Sequence, residues 1–87
     1  MAAILIVTVV TVVSGLTSTN ASVNKSVTRF EDKAECIASI AVIDRTEQRN
    51  HVQRKMLEDG TRLSFLVEKS FGTAKFAESH VYECEEI

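Results

Sequence analysis

The chain opens on a run in which nearly every position is apolar. Nine of the ten residues from Ile4 to Val13 are Ile, Val or Thr, whose branched Cβ is restricted in a helix and packs well on a pleated sheet. The run therefore predicts a strand. Ile4, Ile6, Val10 and Val12 point one way, and Leu5, Val7, Val9 and Val13 the other. A strand with one solvated face would alternate apolar and polar. This one is expected either to lie inside a sheet covered on both sides or to meet another molecule. Ser14 to Asn20 is rich in turn-forming residues, and Gly and Asn there tolerate positive φ. Ala21 to Phe30 then alternates, with Val23, Lys25, Val27 and Arg29 on one side, as a half-exposed second strand would.

At Asp32 the spacing becomes helical. Asp32-Lys33-Ala34-Glu35 is a capping pattern that competes with Thr28-Arg29-Phe30-Glu31. Ala34, Ile37, Ala38 and Ala41 recur at helical spacing, flanked by Cys36, Ile40 and Ile43, and Val52, Met56 and Leu57 resume the apolar side. A helix from Asp32 to Leu57 is predicted, ended by Gly60, with its Ala-rich row on Leu63, Phe65 and Val67. Thr61 to Lys69 and Ala74 to Glu85 alternate as two further strands around the turn Ser70-Phe71-Gly72-Thr73. The expected fold class is α+β, a single domain over residues 1–87. One helix packs on a mainly antiparallel four-stranded sheet in the order β-β-α-β-β.

Composition narrows the function classes. Lys plus Arg number 10 and Asp plus Glu 12, a net charge of -2, which argues against an electrostatically driven nucleic-acid binder. Residues 1–30 carry only Lys25 and Arg29 and no acid. An export signal would begin with a basic segment, whereas Met1-Ala2-Ala3 offers only the α-amino group; Thr19-Asn20-Ala21 is a weak cleavage site. A membrane helix needs about 20 consecutive apolar residues, and Ser14, Gly15 and Thr17 interrupt the run too early. Association with a membrane is not expected.

Candidate chemistry is sparse. Cys36 in the first helical turns and Cys84 near the end of the last strand are either a disulfide or two thiols of a reducing compartment. In both cases they are expected to lie close together. A zinc site from Cys36, His51, His80 and Cys84 fails on distance. Cys36 and His51 lie about 22 Å apart along a helix, and His80 and Cys84 about 13 Å apart along a strand. No phosphate-binding glycine loop, nucleophile–base pair or cofactor motif is present. His51 in a polar segment and His80 beside Tyr82 read as solvated and packed residues. Arg45 to Lys55 carries four bases and one acid, but without interleaved aromatic residues it reads as a solvated helix face or a docking surface for an acidic protein.

The segment Phe30-Glu31-Asp32-Lys33-Ala34-Glu35-Cys36-Ile37-Ala38-Ser39-Ile40, followed by the closing Val81-Tyr82-Glu83-Cys84, resembles a group of short uncharacterised proteins of tailed bacteriophages and some bacteria. The resemblance covers about half the chain. It implies a phage or bacterial source and a Cys36–Cys84 bond, and no activity.

The residues and the resemblance together lead to a small non-enzymatic interaction or structural protein, phage-encoded, either a virion accessory subunit or a binder of a host protein. It is expected to associate with itself or a protein partner through Leu5, Val7, Val9 and Val13. The alternative is a small exported periplasmic protein with an N-terminal signal and a stabilising disulfide. No cofactor, metal, nucleic acid or small-molecule substrate is expected.

Overall fold

The computed structural model describes residues 1–15, 17–47 and 53–87. Within them the chain runs β1 (Ala3–Ser14), β2 (Thr19–Phe30), α1 (Lys33–Glu47), β3 (Gln53–Met56), β4 (Arg62–Phe71) and β5 (Ala74–Glu86). All strand pairs are antiparallel, and the sheet order is β2-β1-β5-β4-β3. The predicted four-stranded β-β-α-β-β sheet is corrected to five strands, because β3 occupies residues assigned above to the end of the helix.

The correction has a local cause. From Gln53 to Met56 only Met56 is apolar, so the segment carries no periodic signal of its own and its pairing decides its form. Pairing Arg54 with Phe65 and Met56 with Leu63 covers the edge of β4, which would otherwise present unpaired N–H and C=O groups. Arg54 holds the piece in place by forking onto Asp44 of α1, with Nε to Oδ1 at 2.5 Å and Nη2 to Oδ2 at 3.0 Å. Gly60 therefore does not end the helix. It makes the β3–β4 turn at φ 75°, where the Leu57 N–H donates to the Arg62 carbonyl and the Gly60 N–H to the Leu57 carbonyl.

The hairpins follow the turn residues. β1 and β2 pair without a break from Ala3↔Phe30 to Ser14↔Thr19, and the Gly15 N–H donates to the Ser18 carbonyl across the turn. Phe71↔Ala74 closes β4 and β5 over Gly72-Thr73. Gly72 has φ 61° at the first position of that two-residue loop, where a glycine is favoured.

The helix starts at its predicted cap, the Glu35 N–H donating to Asp32 Oδ1 at 2.8 Å. Its buried side is not the Ala-rich row. Cys36 and Ile40 are fully buried and Asp44 nearly so, with Ile37 and Ile43 packed beside them, whereas Ala34, Ala38 and Ala41 are exposed. Both rows satisfy helical spacing; the larger side chains remove more apolar area from water and decide the rotation. Ala3, Leu5, Leu63, Phe65 and Cys84 complete the core from the sheet, with Val7, Phe30, Met56 and Tyr82 at its margin. Every sheet residue of this core lies at one end of the strands. The molecule extends 49 × 24 × 17 Å, and among the described residues no helix lies over the far half of the sheet.

Candidate interaction surface

The pairing register assigns every strand residue to a face. Ala3, Leu5, Val7, Val9, Thr11 and Val13 of β1 share the helix-bearing face with Cys84, Tyr82, His80, Glu78 and Phe76 of β5. The opposite face holds Ile4, Ile6, Thr8, Val10 and Val12 of β1, flanked on β2 by Val27 and Val23 and on β5 by Val81 and Ala77. Leu66 of β4 continues the row beside Ser79. No element of the described chain packs on this second face. Val23 and Val27 are 65% and 58% exposed, and their neighbours on β1 are half-buried between β2 and β5.

Beside β1, charge at the Ile4 end of the open face is segregated by strand. β2 contributes only cations, Lys25 and Arg29, whereas β5 contributes Glu83 and Glu85 at that end and Lys75 at the other. Glu83 lies 3.9 Å from Arg62 of β4. Lys25, Arg29 and Glu85 have no ion-pair partner among the described residues. β2 is also the free edge of the sheet, twelve residues long and exposed along nearly all of its length.

The interaction face expected from the sequence is divided by the helix. Leu5 is buried in the core and Val7 packs against it, while Val9 is half-buried and Val13 is 43% exposed. Alternation alone told the two sides of β1 apart but not which side receives the helix. Phe30 and Cys84, one at each flank of β1, are the residues that could have shown it, because both belong beside the Cys-bearing helix.

Cys36 and Cys84 are joined, with a Cα–Cα distance of 6.0 Å and a sequence separation of 48. The bond ties the first turns of α1 to the end of β5. Besides it, the helix-bearing face carries a polar row at its far end. His80 Nε2 contacts Glu78 Oε1, and the His80 ring stacks on Tyr82 with centroids 6.4 Å apart. Tyr82 in turn meets Phe65 edge to face. At the β3–β4 turn, hydrogen bonds from the Thr61 hydroxyl and backbone N–H hold the Asp59 carboxyl below the usual carboxylate range.

His51 lies outside the described residues, as do residues 48–50 and 52 of the basic segment. The remainder of that segment is split between Arg45, exposed on α1, and Gln53, Arg54 and Lys55 on β3, so it is not one helix face. Among the described residues no group of three or more His, Cys, Asp or Glu side chains converges as metal ligands would, and no helix is long and apolar enough to cross a membrane. A depression of about 320 Å³ lies at the β4–β5 hairpin end beside Val12, Glu68, Lys75 and Phe76. Comparison with protein-family models, curated proteins and solved structures returns no match for this chain.

Proposed function

We propose that this chain is a small non-enzymatic interaction protein that works by presenting the open face of its sheet to another protein surface. The carrying observation is the uncovered apolar strip Ile4, Ile6, Val10, Val12, Val23, Val27 and Val81, backed by a helix-stapled core on the other side. Large contiguous apolar patches on small proteins mark interaction sites. The resemblance to short phage and bacterial proteins makes a virion accessory subunit, or a binder that blocks a host protein, the setting for such a face. The test is photo-cross-linking in the native host. A benzophenone side chain at Thr8, on the open face, is expected to give protein adducts that Val10→Lys abolishes. The same group at Asn24, on the other face of β2, is expected to give none. Adducts from neither position, or equally from both, would remove the basis of this reading.

The Cys36–Cys84 bond favours a second setting, an exported protein, since structural disulfides persist in oxidising compartments. In that setting residues 1–21 cannot both leave as a signal and fill the strand between β2 and β5. The intact mass of the protein from its native host separates these outcomes, because it reports loss of the first 21 residues and the two-hydrogen difference of the disulfide together.

A further inference from the structure

We propose that the partner on the open face is a second copy of the chain, packed face to face about a two-fold axis that runs along β1. This rests on the open-face reading above and deepens it. Two independent observations carry it, one of area and one of charge.

The chain exposes 6127 Å², whereas the scaling followed by folded monomers gives about 5,100 Å² for 9.6 kDa. The excess of roughly 1,000 Å² is close to the ~800 Å² per partner that a standard stable interface buries. The radius of gyration agrees, at 15.0 Å against about 12 Å for a compact domain of this length. The fold has the surface of half a sandwich, and a second sheet about 10 Å away supplies the missing layer.

Charge selects the symmetry. Ile4 pairs with both Arg29 and Glu85, Ile6 with both Val27 and Glu83, and Thr8 with both Lys25 and Val81. Cations and acids therefore flank β1 on opposite sides at the same end. A two-fold axis along β1 lays β1 on β1, so that Ile4, Ile6, Val10 and Val12 form the centre of the contact. It also lays β2 of each copy over β5 of the other, bringing Lys25 and Arg29 to Glu83 and Glu85 in both halves of an isologous interface. An axis across the strands instead lays β2 over β2, where Lys25 and Arg29 meet no acid, and leaves only β5, whose Lys75 lies at the opposite end from Glu83 and Glu85, to match acid to base. Arg62 and Glu68 of β4 and Lys55 of β3 fall at the rim.

The experiment is sedimentation equilibrium of the oxidised full chain together with two charge-reversed variants. The native chain is expected at twice 9.6 kDa at micromolar concentration. The double variants Lys25→Glu/Arg29→Glu and Glu83→Lys/Glu85→Lys should each dissociate about 100-fold or more readily, since opposed like charges repel. Mixed in equal amounts they should recover a dimer containing one chain of each, as only the mixed pair matches acid to base in both halves. Val10→Lys should yield a monomer whose circular dichroism is unchanged. A monomeric native chain at ~100 μM, or variants that fail to recover the mixed dimer, overturns the self-association. Cross-links from Thr8 to a different protein also overturn it while leaving the interaction reading standing. Loss of those cross-links as well ends both.

Discussion

Cys36 and Cys84 do more for this chain than any other pair, because the core they anchor is small. Closing a loop of 48 residues removes chain entropy worth about 4 kcal/mol in the unfolded state. Cys84→Ser is therefore expected to lower stability by roughly 2 to 4 kcal/mol, and added reductant should bring the native chain to the variant's melting temperature without moving the variant. Insensitivity of the native chain to reductant would contradict the bond. At the β3–β4 turn, a Cβ on Gly60 would meet Ile37 Cγ2 at 3.2 Å while φ stays at +75°, so Gly60→Ala combines crowding with backbone strain. A loss of roughly 1 to 3 kcal/mol is expected in thermal unfolding, and a smaller one for Gly72→Ser, where space is open and only the positive φ resists. The neighbouring Asp59 gives a pH dependence of known sign. Its lowered pKa means the ionised form is favoured by folding. The stability it lends is complete above the ordinary Asp range and fades as pH falls through the lowered value. Thr61→Val should return the Asp59 carboxyl toward its ordinary value in a side-chain NMR titration.

Helix α1 and strand β1 show which parts of the fold were legible in the sequence and which were not. Truncating Ile40, fully buried under the helix, should cost about 2 to 5 kcal/mol as Ile40→Ala. Ala38→Ser, on the exposed row the spacing also allowed, should fall within about 0.5 kcal/mol. Chemical denaturation of the pair reads the helix rotation directly. The strand assignments of β1, β2, β4 and β5 were legible because β-branched runs and period-two alternation are local signals, and the Asp32 cap was legible for the same reason. The rotation of α1 was not, because two apolar rows, 34-37-38-41 and 36-40-43, compete at one spacing and only the sheet chooses between them. Strand β3 was hidden for a related reason. Four residues carry too few positions to separate a period of two from 3.6, and its evidence lies in the Arg54–Asp44 fork, a contact between elements. The open face was half legible. That both sides of β1 are apolar was read from the run itself, but Leu5 and Val7 belong to the core and Ile4 and Ile6 to the surface by virtue of the Cys36–Cys84 tie.

Across the whole molecule, a single small core at one end of a 49 Å sheet ties stability to association. If the open faces pair, unfolding releases two chains from each dimer, and mass action makes the melting temperature depend on protein concentration. A tenfold rise in concentration changes the dimer's unfolding free energy by about 1.4 kcal/mol, or roughly 0.7 kcal/mol per chain. For a domain of this size that corresponds to a rise of about 3 to 5 °C. Val10→Lys should flatten the dependence and lower the melting temperature at high concentration, while leaving the low-concentration limit near that of the native monomer. Val13→Lys, on the helix-bearing side and 43% exposed, should keep the slope intact. Salt supplies the opposite control. The facing Lys25, Arg29, Glu83 and Glu85 are partly solvated and are screened above ~0.1 M, so added salt should weaken the pairing without abolishing its apolar centre. A native melting temperature that stays flat over two decades of concentration would mean that the sheet is stable with both faces of its far half in water.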